Sequence, residues 1–251
     1  MVYELQPKLT EQASLLEGLQ RKTTNSIVLL YSGGADSTVT GLKLLEKGFS
    51  VHPVFFRYGQ TAEQAEEYMA TIGPPELGFE KTHIIEMTDL MLSLSKSSLL
   101  GGKARDDKDA WVPARNSIFM LLAGVYAYQI DADGIAVGYM LEDQGVFGDS
   151  NIMHHKLTEL LLTQTLSRPM KVFTPLMSMT KLDVLRYLLD KRSLQFTISC
   201  WNAELDGKVV KACHECANCQ ERDARLQELL GEIKGEMNDK DREYLRTIVN
   251  I

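Results

Sequence analysis

The first 199 residues of this 251-residue chain contain no cysteine. All four cysteines, Cys200, Cys213, Cys216 and Cys219, fall within one short window near the C-terminus. In a reducing compartment such clustering indicates a metal site rather than a disulfide framework. The distribution therefore favours metal binding.

The chain also lacks a positive net charge and a membrane-length apolar run. Lysine and arginine number 27 against 34 aspartates and glutamates, giving a formal net charge of -7. This balance argues against a protein that binds double-stranded nucleic acid. The longest uncharged apolar stretch, Ile118 to Ile130, is too short for a bilayer and is typical of a buried helix. No secretory signal pattern is visible, so we expect a cytoplasmic protein without a membrane partner.

Apolar strand patterns alternate with helical patterns along the chain, which predicts an α/β fold with a parallel sheet covered by helices. The expected strands are Ser26–Tyr31, Val51–Phe56, Thr82–Met87 and Gly134–Gly138. The expected helices are Glu11–Arg21, 39–47, Thr61–Thr71, Ile118–Ile130, His154–Leu166, Lys181–Leu189 and a charged tail from Gln220.

A glycine-rich turn follows the first expected strand, where open α/β sheets bind their ligands. The turn and its flanks comprise Leu30, Tyr31, Ser32, Gly33, Gly34, Ala35, Asp36, Ser37 and Thr38. The glycines permit close approach, and successive N–H groups at a helix N-terminus suit a phosphate. The alternative is a simple strand-to-helix turn with Asp36 as the helix cap. The turn lacks the Gly-Lys-Ser/Thr of a Walker A loop and the Gly-x-Gly-x-x-Gly of a dinucleotide fold.

This turn resembles the SGGxDS signature of the PP-loop ATP pyrophosphatases, which split ATP between its α and β phosphates and adenylate an oxygen of the substrate. Further segments resemble one member family, QueC, in the same chain order. Phe56–Gln60 is similar to its FDYGQ, Val112–Phe119 to its VPGRNTIF, and Thr174–Lys181 to its TPL…TK segment. Ser199–Trp201, with the later cysteines and Arg222, resembles its C-terminal zinc segment.

The resemblance implies a Rossmann-like domain of the adenine nucleotide α-hydrolase type with a C-terminal zinc-binding helical segment. The corresponding division is a helical extension over 1–25, an ATP-binding domain over 26–195 and a zinc-binding segment over 196–251. The implied reaction is adenylation of the carboxylate of 7-carboxy-7-deazaguanine by ATP and Mg²⁺, followed by attack of ammonia and conversion of the amide to the nitrile. A homodimer is also implied.

The resemblance assigns roles to individual residues. Asp36, Ser37, Arg115 and Lys181 are the expected catalytic residues. The glycine-rich turn, Tyr58 and Gln60 are expected to bind ATP, while Asp143 and Asp149 are expected to hold the deazaguanine. From the residues alone, Arg115 and Lys181 are also compatible with solvent-exposed cations, and Tyr58 and Gln60 with ordinary strand-end packing.

The segment Asp143–Asn151 departs from the family pattern, because Gly148, Ser150 and Asn151 stand where QueC has Pro, Cys and Arg. This leaves the acceptor nitrogen open. One alternative is a QueC-like antiphage-defence enzyme that stops at an amide and joins the deazaguanine to a protein amine. Others are a tRNA-modifying adenylase and a non-catalytic nucleotide-binding module.

The spacing Cys-x12-Cys-x2-Cys-x2-Cys provides four thiolates, which suits a closed tetrahedral zinc site with a structural role. His214, which lies between two of the cysteines, is a poorer candidate ligand. An iron–sulfur cluster is the alternative.

Overall fold

The computed structural model describes residues 23–142 and 148–233. The expected helix Glu11–Arg21 and the expected substrate residue Asp143 lie outside these ranges. The described strands of the main sheet are β1 (Ser26–Leu30), β2 (Ser50–Arg57), β3 (His83–Glu86), β4 (Gly134–Ala136) and β5 (Lys171–Phe173). A separate antiparallel hairpin consists of β6 (Glu204–Asp206) and β7 (Val209–Lys211).

The described α-helices lie between these strands, three of them between β3 and β4, and after the hairpin. They are α1 (Ala35–Glu46), α2 (Glu63–Leu77), α3 (Thr88–Leu94), α4 (Asp107–Ala110), α5 (Arg115–Gln129), α6 (Ile152–Thr165), α7 (Lys181–Asp190) and α8 (Ala217–Ile233). A 3₁₀ turn covers Leu194–Phe196. None of the described helices is long and apolar enough to cross a membrane.

The five strands form one parallel sheet in the order β3-β2-β1-β4-β5. The chain runs outward from β1 to β3 and then returns to the other side of β1 for β4 and β5. The strand order therefore reverses between β1 and β4. In open α/β sheets a ligand crevice lies at such a point, outside the carboxyl ends of the strands.

Strand β1 forms the centre of the core because it is hydrogen-bonded on both edges and buried on both faces. Ile27, Val28 and Leu29 are fully buried. Val28 packs in the cluster that includes α5 and α6, whereas Ile27 and Leu29 pack in the cluster that includes α1 and α2. A strand that is enclosed on both faces has a continuous apolar run in its sequence, and for this reason the sequence predicts β1 well.

Helix α2 continues to Leu77, so the expected end at Thr71 is wrong. Pro74 and Pro75 lie inside the helix. A proline lacks the N–H that would bond the carbonyl four residues earlier. The Thr82 hydroxyl donates a hydrogen bond to the Ala70 carbonyl, which compensates for the donor that Pro74 lacks. The helix ends at Gly78, whose φ of 81° is left-handed.

Helix α5 begins at Arg115, three residues before the expected Ile118, because its first turn is polar and carries no apolar periodicity. Its N-cap residue, Ala114, has a φ of 56° and a ψ of 15°. An L-residue with a Cβ is disfavoured in this left-handed region by about 1–2 kcal/mol. Strand β5 was not predicted from the sequence, since three residues with one apolar β-branched side chain form no recognisable pattern.

The conformation of Ala114 predicts that Ala114→Gly stabilises the protein. Glycine removes the left-handed strain but adds unfolded-chain entropy, so the net gain should be about 0.5–1 kcal/mol, or a Tm increase of about 1–4 °C. Thermal unfolding would measure it. Ala123→Gly, inside the same helix, is the matched control and should lower the Tm. A lower Tm for both variants would contradict the strain at Ala114.

Candidate active site and metal centre

The turn between β1 and α1 is held by two glycines and a serine. Gly33 has a φ of 73°, and a Cβ there would lie 2.9 Å from the Cβ of Met69. Gly34 is the N-cap residue of α1, and its N–H donates to Ser32 Oγ at 3.2 Å. Asp36 therefore does not cap the helix. The turn brings backbone N–H groups and the helix N-terminus to one place, as an anion site requires.

The residues of this turn divide into two sets by exposure. Ser32 is exposed, and Gly34 and Asp36 are partly exposed. The remaining loop residues on the core side are buried: Tyr31, Gly33, Ala35, Ser37 and Thr38. The Ser37 hydroxyl donates to the Gly34 carbonyl at 3.1 Å and lies 3.5 Å from Ser32 Oγ, so it braces the turn from inside.

Asp36 and Lys181 form an ion pair beside the turn. The ammonium Nζ of Lys181 lies 3.0 Å from both carboxylate oxygens of Asp36. Lys181 is only 4% exposed, so the solvated-lysine alternative is excluded. A charge with so little contact with water needs a partner of opposite charge. The two residues are 145 positions apart, and the pair joins α7 to the first turn of α1.

The start of α7 is fixed by a capping box. Thr180 and Asp183 exchange hydrogen bonds between side chain and backbone. The backbone N–H of Lys181 donates to the Glu142 carboxylate at 2.9 Å. A carboxylate at the helix N-terminus offsets the unfavourable placement of a lysine there.

A second polar group lies beyond β2 and at the start of α5. Arg115 Nη1 donates to the Tyr58 hydroxyl at 3.4 Å, with the guanidinium 5.8 Å from the ring centroid. Burial raises the pKa of Tyr58 to about 12, so its hydroxyl stays neutral at ordinary pH. Gln60 is buried and accepts from the Tyr58 N–H while donating to the Phe56 carbonyl. Its amide thereby fixes the strand end that presents Tyr58.

Glu66 is a member of this group that the sequence analysis missed. The Gln60 amide donates to its carboxyl at 3.0 Å. Burial raises the pKa of Glu66 to about 7, although the Gln60 hydrogen bond and the Arg115 charge act to lower it. In sequence, Glu66 is one of several acids in the first turns of a helix, a common pattern that the helix dipole favours. No signal in the sequence distinguishes it.

Asp149 lies beside Asn116 at the mouth of a small recess. Its carboxylate accepts from the backbone N–H of Asn116 at 3.2 Å and from the Asn116 side chain at 3.3 Å. The recess is lined by Ala110, Trp111, Val112, Arg115, Asn116 and Asp149. The structure thus brings the expected substrate residue Asp149 close to the expected catalytic residue Arg115. Asn116, the residue that positions Asp149, was not anticipated.

The four cysteines converge at one point. Their Sγ atoms all lie within 4.8 Å of one another, and those of Cys213 and Cys219 are 3.9 Å apart. A tetrahedral ion with bonds of about 2.3 Å to sulfur places its ligands about 3.8 Å apart. Backbone N–H groups of Cys213 and Cys216 donate to neighbouring thiols, as expected for a metal-binding turn. The four cysteines therefore fit one metal ion.

The ring of His214 is directed away from this cluster. His214 Nδ1 lies 2.9 Å from an Asp223 carboxylate oxygen, and the side chain is mostly exposed. Among the described residues that could hold a metal together, the group at this position contains only the four cysteines. His214 thus belongs to the surroundings of the site.

The cysteine segment contacts the glycine-rich turn directly. Three cysteines pack with Ala62, Ala65 and Met69 around α2. The backbone N–H of Ile198, two residues before Cys200, donates to the Gly33 carbonyl at 2.9 Å. The two expected sites are therefore neighbours that share a backbone hydrogen bond.

Comparison with known proteins gives a family match and several similar structures. A family model described as queuosine biosynthesis protein QueC matches residues 26–230, which include both the glycine-rich turn and the four cysteines. The U34-tRNA thiolase NcsA from Methanococcus maripaludis, solved with its 4Fe-4S cluster, is 17% identical in sequence, and the TM-score is 0.48. The matched region covers 96% of this chain and 79% of the thiolase chain.

Two further solved structures are similar at the same level. NMN synthetase from Francisella tularensis is 16% identical in sequence, and the TM-score is 0.46. The matched region covers 95% of this chain and 91% of the synthetase chain. A 4-thiouridine synthetase–RNA complex with bound ATP is 20% identical with a TM-score of 0.47, covering 81% of this chain. This chain spans 50% of that synthetase.

The raised pKa of Glu66 predicts a pH-dependent loss of stability. The unfolded carboxyl ionises near 4.5 and the folded one near 7, so the free energy of unfolding should fall as pH rises through this interval and level off above it. Glu66→Gln should remove that fall. Thermal unfolding between pH 5 and pH 8.5 measures it, with exposed Glu76→Gln as the matched control. Parallel pH profiles for wild type and Glu66→Gln would contradict the prediction.

The convergence of four thiols predicts that metal contributes to folding. Stripping the metal with a strong chelator should lower the Tm, and adding back metal should restore it, because binding free energy at a closed site adds to folding free energy. Cys216→Ser should lower the Tm of the untreated protein and reduce its response to the chelator. An unchanged Tm after verified metal removal would contradict a structural metal.

Proposed function

Since the chain belongs to the queuosine biosynthesis protein QueC family, and is thereby an ATP-using enzyme of the PP-loop type, we propose that it adenylates 7-carboxy-7-deazaguanine and transfers the acyl group to a nitrogen nucleophile. The observation that carries the proposal is the Asp36–Lys181 pair beside the Gly33–Gly34 turn at the strand-order reversal. It combines an anion-binding turn with a buried cation, which is what the splitting of a triphosphate requires.

In the proposed first step, an oxygen of the substrate carboxylate attacks the α-phosphorus of ATP and pyrophosphate leaves. The exposed edge of the turn, with Ser32 and the N–H groups of α1, would hold the phosphates. Lys181 would stabilise the negative charge that develops on them. Mg²⁺, when bound with ATP, neutralises further phosphate charge, and Asp36 is the nearest carboxylate of the turn for such an ion.

The recess next to Arg115 has a volume of about 20 Å³, room for little more than one water molecule, so the substrate would bind across its mouth. Each oxygen of Asp149 accepts one hydrogen bond from Asn116, which leaves lone pairs for the adjacent N–H donors of a guanine-like edge. The half-exposed indole of Trp111 borders the same recess and offers a flat apolar surface to a ring. Asp143 is proposed as a second carboxylate for the same base.

In the second step, ammonia attacks the acyl carbon, AMP leaves, and the nitrogen loses a proton. Glu66, with a pKa of about 7 in the polar group with Arg115, has the proton affinity suited to accepting that proton near neutral pH. Nitrile formation requires a second ATP, which adenylates the amide oxygen. Pyrophosphate leaves in that adenylation. The oxygen then departs with AMP as the nitrogen loses its two protons and the C–N triple bond forms.

A second candidate, the antiphage-type conjugating enzyme, is favoured by the position of Asn151. Its side chain accepts from the His154 N–H and donates to the Gly148 carbonyl, both at 2.9 Å, and so serves as the cap of α6. A capping asparagine has neither the length nor the charge of the arginine that QueC carries at this position. This would leave space for an amine bulkier than ammonia.

We propose zinc as the metal, because the separations between the sulfurs suit one tetrahedral ion. In a four-iron cluster each cysteine binds a different iron, which requires wider separations between the sulfurs. The zinc segment is proposed to begin near Phe196, and the enzyme to act in the cytoplasm.

The test of the function is product analysis. The metal-loaded protein is incubated with ATP, Mg²⁺, 7-carboxy-7-deazaguanine and ammonia, and products are identified by mass spectrometry. We expect AMP, pyrophosphate and a deazaguanine amide or nitrile. Release of only ADP and phosphate would overturn the adenylation mechanism. An amide that forms only with a peptide amine would select the conjugating enzyme over the nitrile synthase.

A double variant, Asp36→Asn combined with Lys181→Met, tests whether these two residues take part in the reaction. Asp36→Asn alone would leave the buried ammonium unpaired and should destabilise the fold by at least about 2 kcal/mol. The double variant removes both charges, so it should stay folded by circular dichroism and release no pyrophosphate. Full turnover by a folded double variant would exclude these residues from the reaction.

A further inference from the structure

Helix α6 carries an apolar stripe on the side that faces away from the core. Its members follow the spacing i, i+4, i+7 and i+8, and each is 47–65% exposed: Met153, Leu157, Leu160 and Leu161. The opposite side of the helix is already packed, because a Cβ at Gly124 of α5 would overlap Leu162. An amphipathic surface helix normally turns its apolar stripe toward the protein and its polar side toward water. The described residues therefore leave this stripe uncovered.

The stripe continues onto helix α5. Val125 and Tyr128 are each about half exposed. The guanidinium of Arg168, which follows the end of α6, lies 4.8 Å from the centroid of the Tyr128 ring, so this ring is on the side of α5 next to α6. Val125 lies one turn earlier on the same side. We define the outer apolar face as Val125, Tyr128, Met153, Leu157, Leu160 and Leu161.

The two helices run side by side in the same direction. Near their starts, Ser117 Oγ lies 2.8 Å from His154 Nε2. Farther along, the contact is between Gly124 and Leu162. Their C-terminal ends therefore lie together, at the end of the sheet where β4 begins.

The chain before Thr24 leaves from this same end. The Thr24 N–H donates to the Asp133 carboxylate at 3.0 Å, and its hydroxyl donates to the Asp131 carbonyl at 3.0 Å. Arg168 forms an ion pair with Asp131 at 3.0 Å and donates to the Tyr128 carbonyl at 3.5 Å. These bonds anchor Thr24 in the loop that follows α5, beside the Tyr128 end of the outer apolar face.

The segment that precedes Thr24 has the apolar pattern and the length to cover this face. The sequence predicts a helix over Glu11–Arg21. Four apolar residues lie on one side of it: Ala13, Leu15, Leu16 and Leu19. Eleven helical residues extend about 16 Å, and the stripe from Met153 to Leu161 extends about 12 Å. The family model begins at residue 26, so this segment is outside the QueC match.

A short connection restricts where this helix can lie. Lys22 and Thr23 join its end to Thr24, and two residues span at most about 7 Å. The Ser50 N–H donates to the Asn25 carbonyl at 2.7 Å, which places the turn between α1 and β2 close by. No described residue of α1 or of that turn is an exposed large apolar side chain. A helix packed there would leave its leucines in water, whereas the outer apolar face would bury them.

We propose that Glu11–Arg21 forms a helix that packs its leucines on the outer apolar face of α5 and α6 in the same chain. Counting back from the anchored end, this helix places Leu19 toward Tyr128 and Leu16 toward Leu157. The inference concerns the N-terminal segment alone and does not depend on the reaction proposed above.

Photo-crosslinking of the full metal-loaded chain tests this contact. Leu157→p-benzoylphenylalanine places a photoreactive ketone in the outer apolar face, and irradiation should link it to the tryptic peptide 9–21. An equal mixture of isotope-labelled and unlabelled chains shows whether the two linked peptides come from one chain. Leu94→p-benzoylphenylalanine is the matched control, because Leu94 is a similarly exposed leucine on α3, outside the proposed contact. It should give no link to peptide 9–21.

Thermal unfolding of charged variants gives an independent test. Leu16→Glu should lower the Tm by about 3–6 °C, because it places an unpaired charge in an apolar contact. Leu157→Glu should act similarly, and the double variant should lower the Tm little further than either alone, since both remove the same contact. Ser14→Glu, on the opposite side of the predicted helix, should leave the Tm unchanged.

Three results would overturn the proposal. One is the absence of crosslinks between position 157 and peptide 9–21. Another is a crosslink that joins labelled to unlabelled peptides as often as random pairing allows, which would place a second copy on the face. The third is a Tm that Leu157→Glu lowers and Leu16→Glu does not, which would mean that something other than the N-terminal segment covers the face.

Discussion

The buried ammonium of Lys181 is the constraint on which the arrangement of the site depends. Burying an ammonium that is only 4% exposed is costly without a partner of opposite charge, and Asp36 provides that partner with both carboxylate oxygens. The pair fixes the first turn of α1 relative to α7, two helices that follow different strands. It therefore holds the glycine-rich turn in position at the strand-order reversal before any ligand binds, which is the preorganisation that electrostatic catalysis requires.

Around this pair, structural and chemical roles are divided between neighbouring residues. Tyr31 and Thr38, buried below the turn, bond each other and support it, while Ser32 stays exposed. On the adjacent strand, Gln60 uses its amide to shape the backbone and to bond Glu66. A motif residue can thus act by positioning another group rather than by contacting a ligand.

The sequence predicted the parallel α/β fold, the positions of its first four strands along the chain and the convergence of the cysteines, because these follow from apolar runs and ligand spacing. It could not predict that α2 continues through two prolines, because the Thr82 hydroxyl that compensates for Pro74 comes from a segment outside the helix. Glu66 was missed for a related reason. Its raised pKa arises from burial next to residues of other elements. A local sequence pattern indicates neither burial nor distance in space.

The hydrogen bond from the Ile198 N–H to the Gly33 carbonyl couples the cysteine site to the glycine-rich turn. Ile198 is held in place by the cysteine segment, and Gly33 belongs to the turn proposed for ATP. If metal occupancy orders that segment, it also narrows the conformations open to the turn and reduces the entropy lost when nucleotide binds. Linkage is reciprocal, so a bound nucleotide would strengthen metal binding by the same coupling free energy that the metal lends to nucleotide binding.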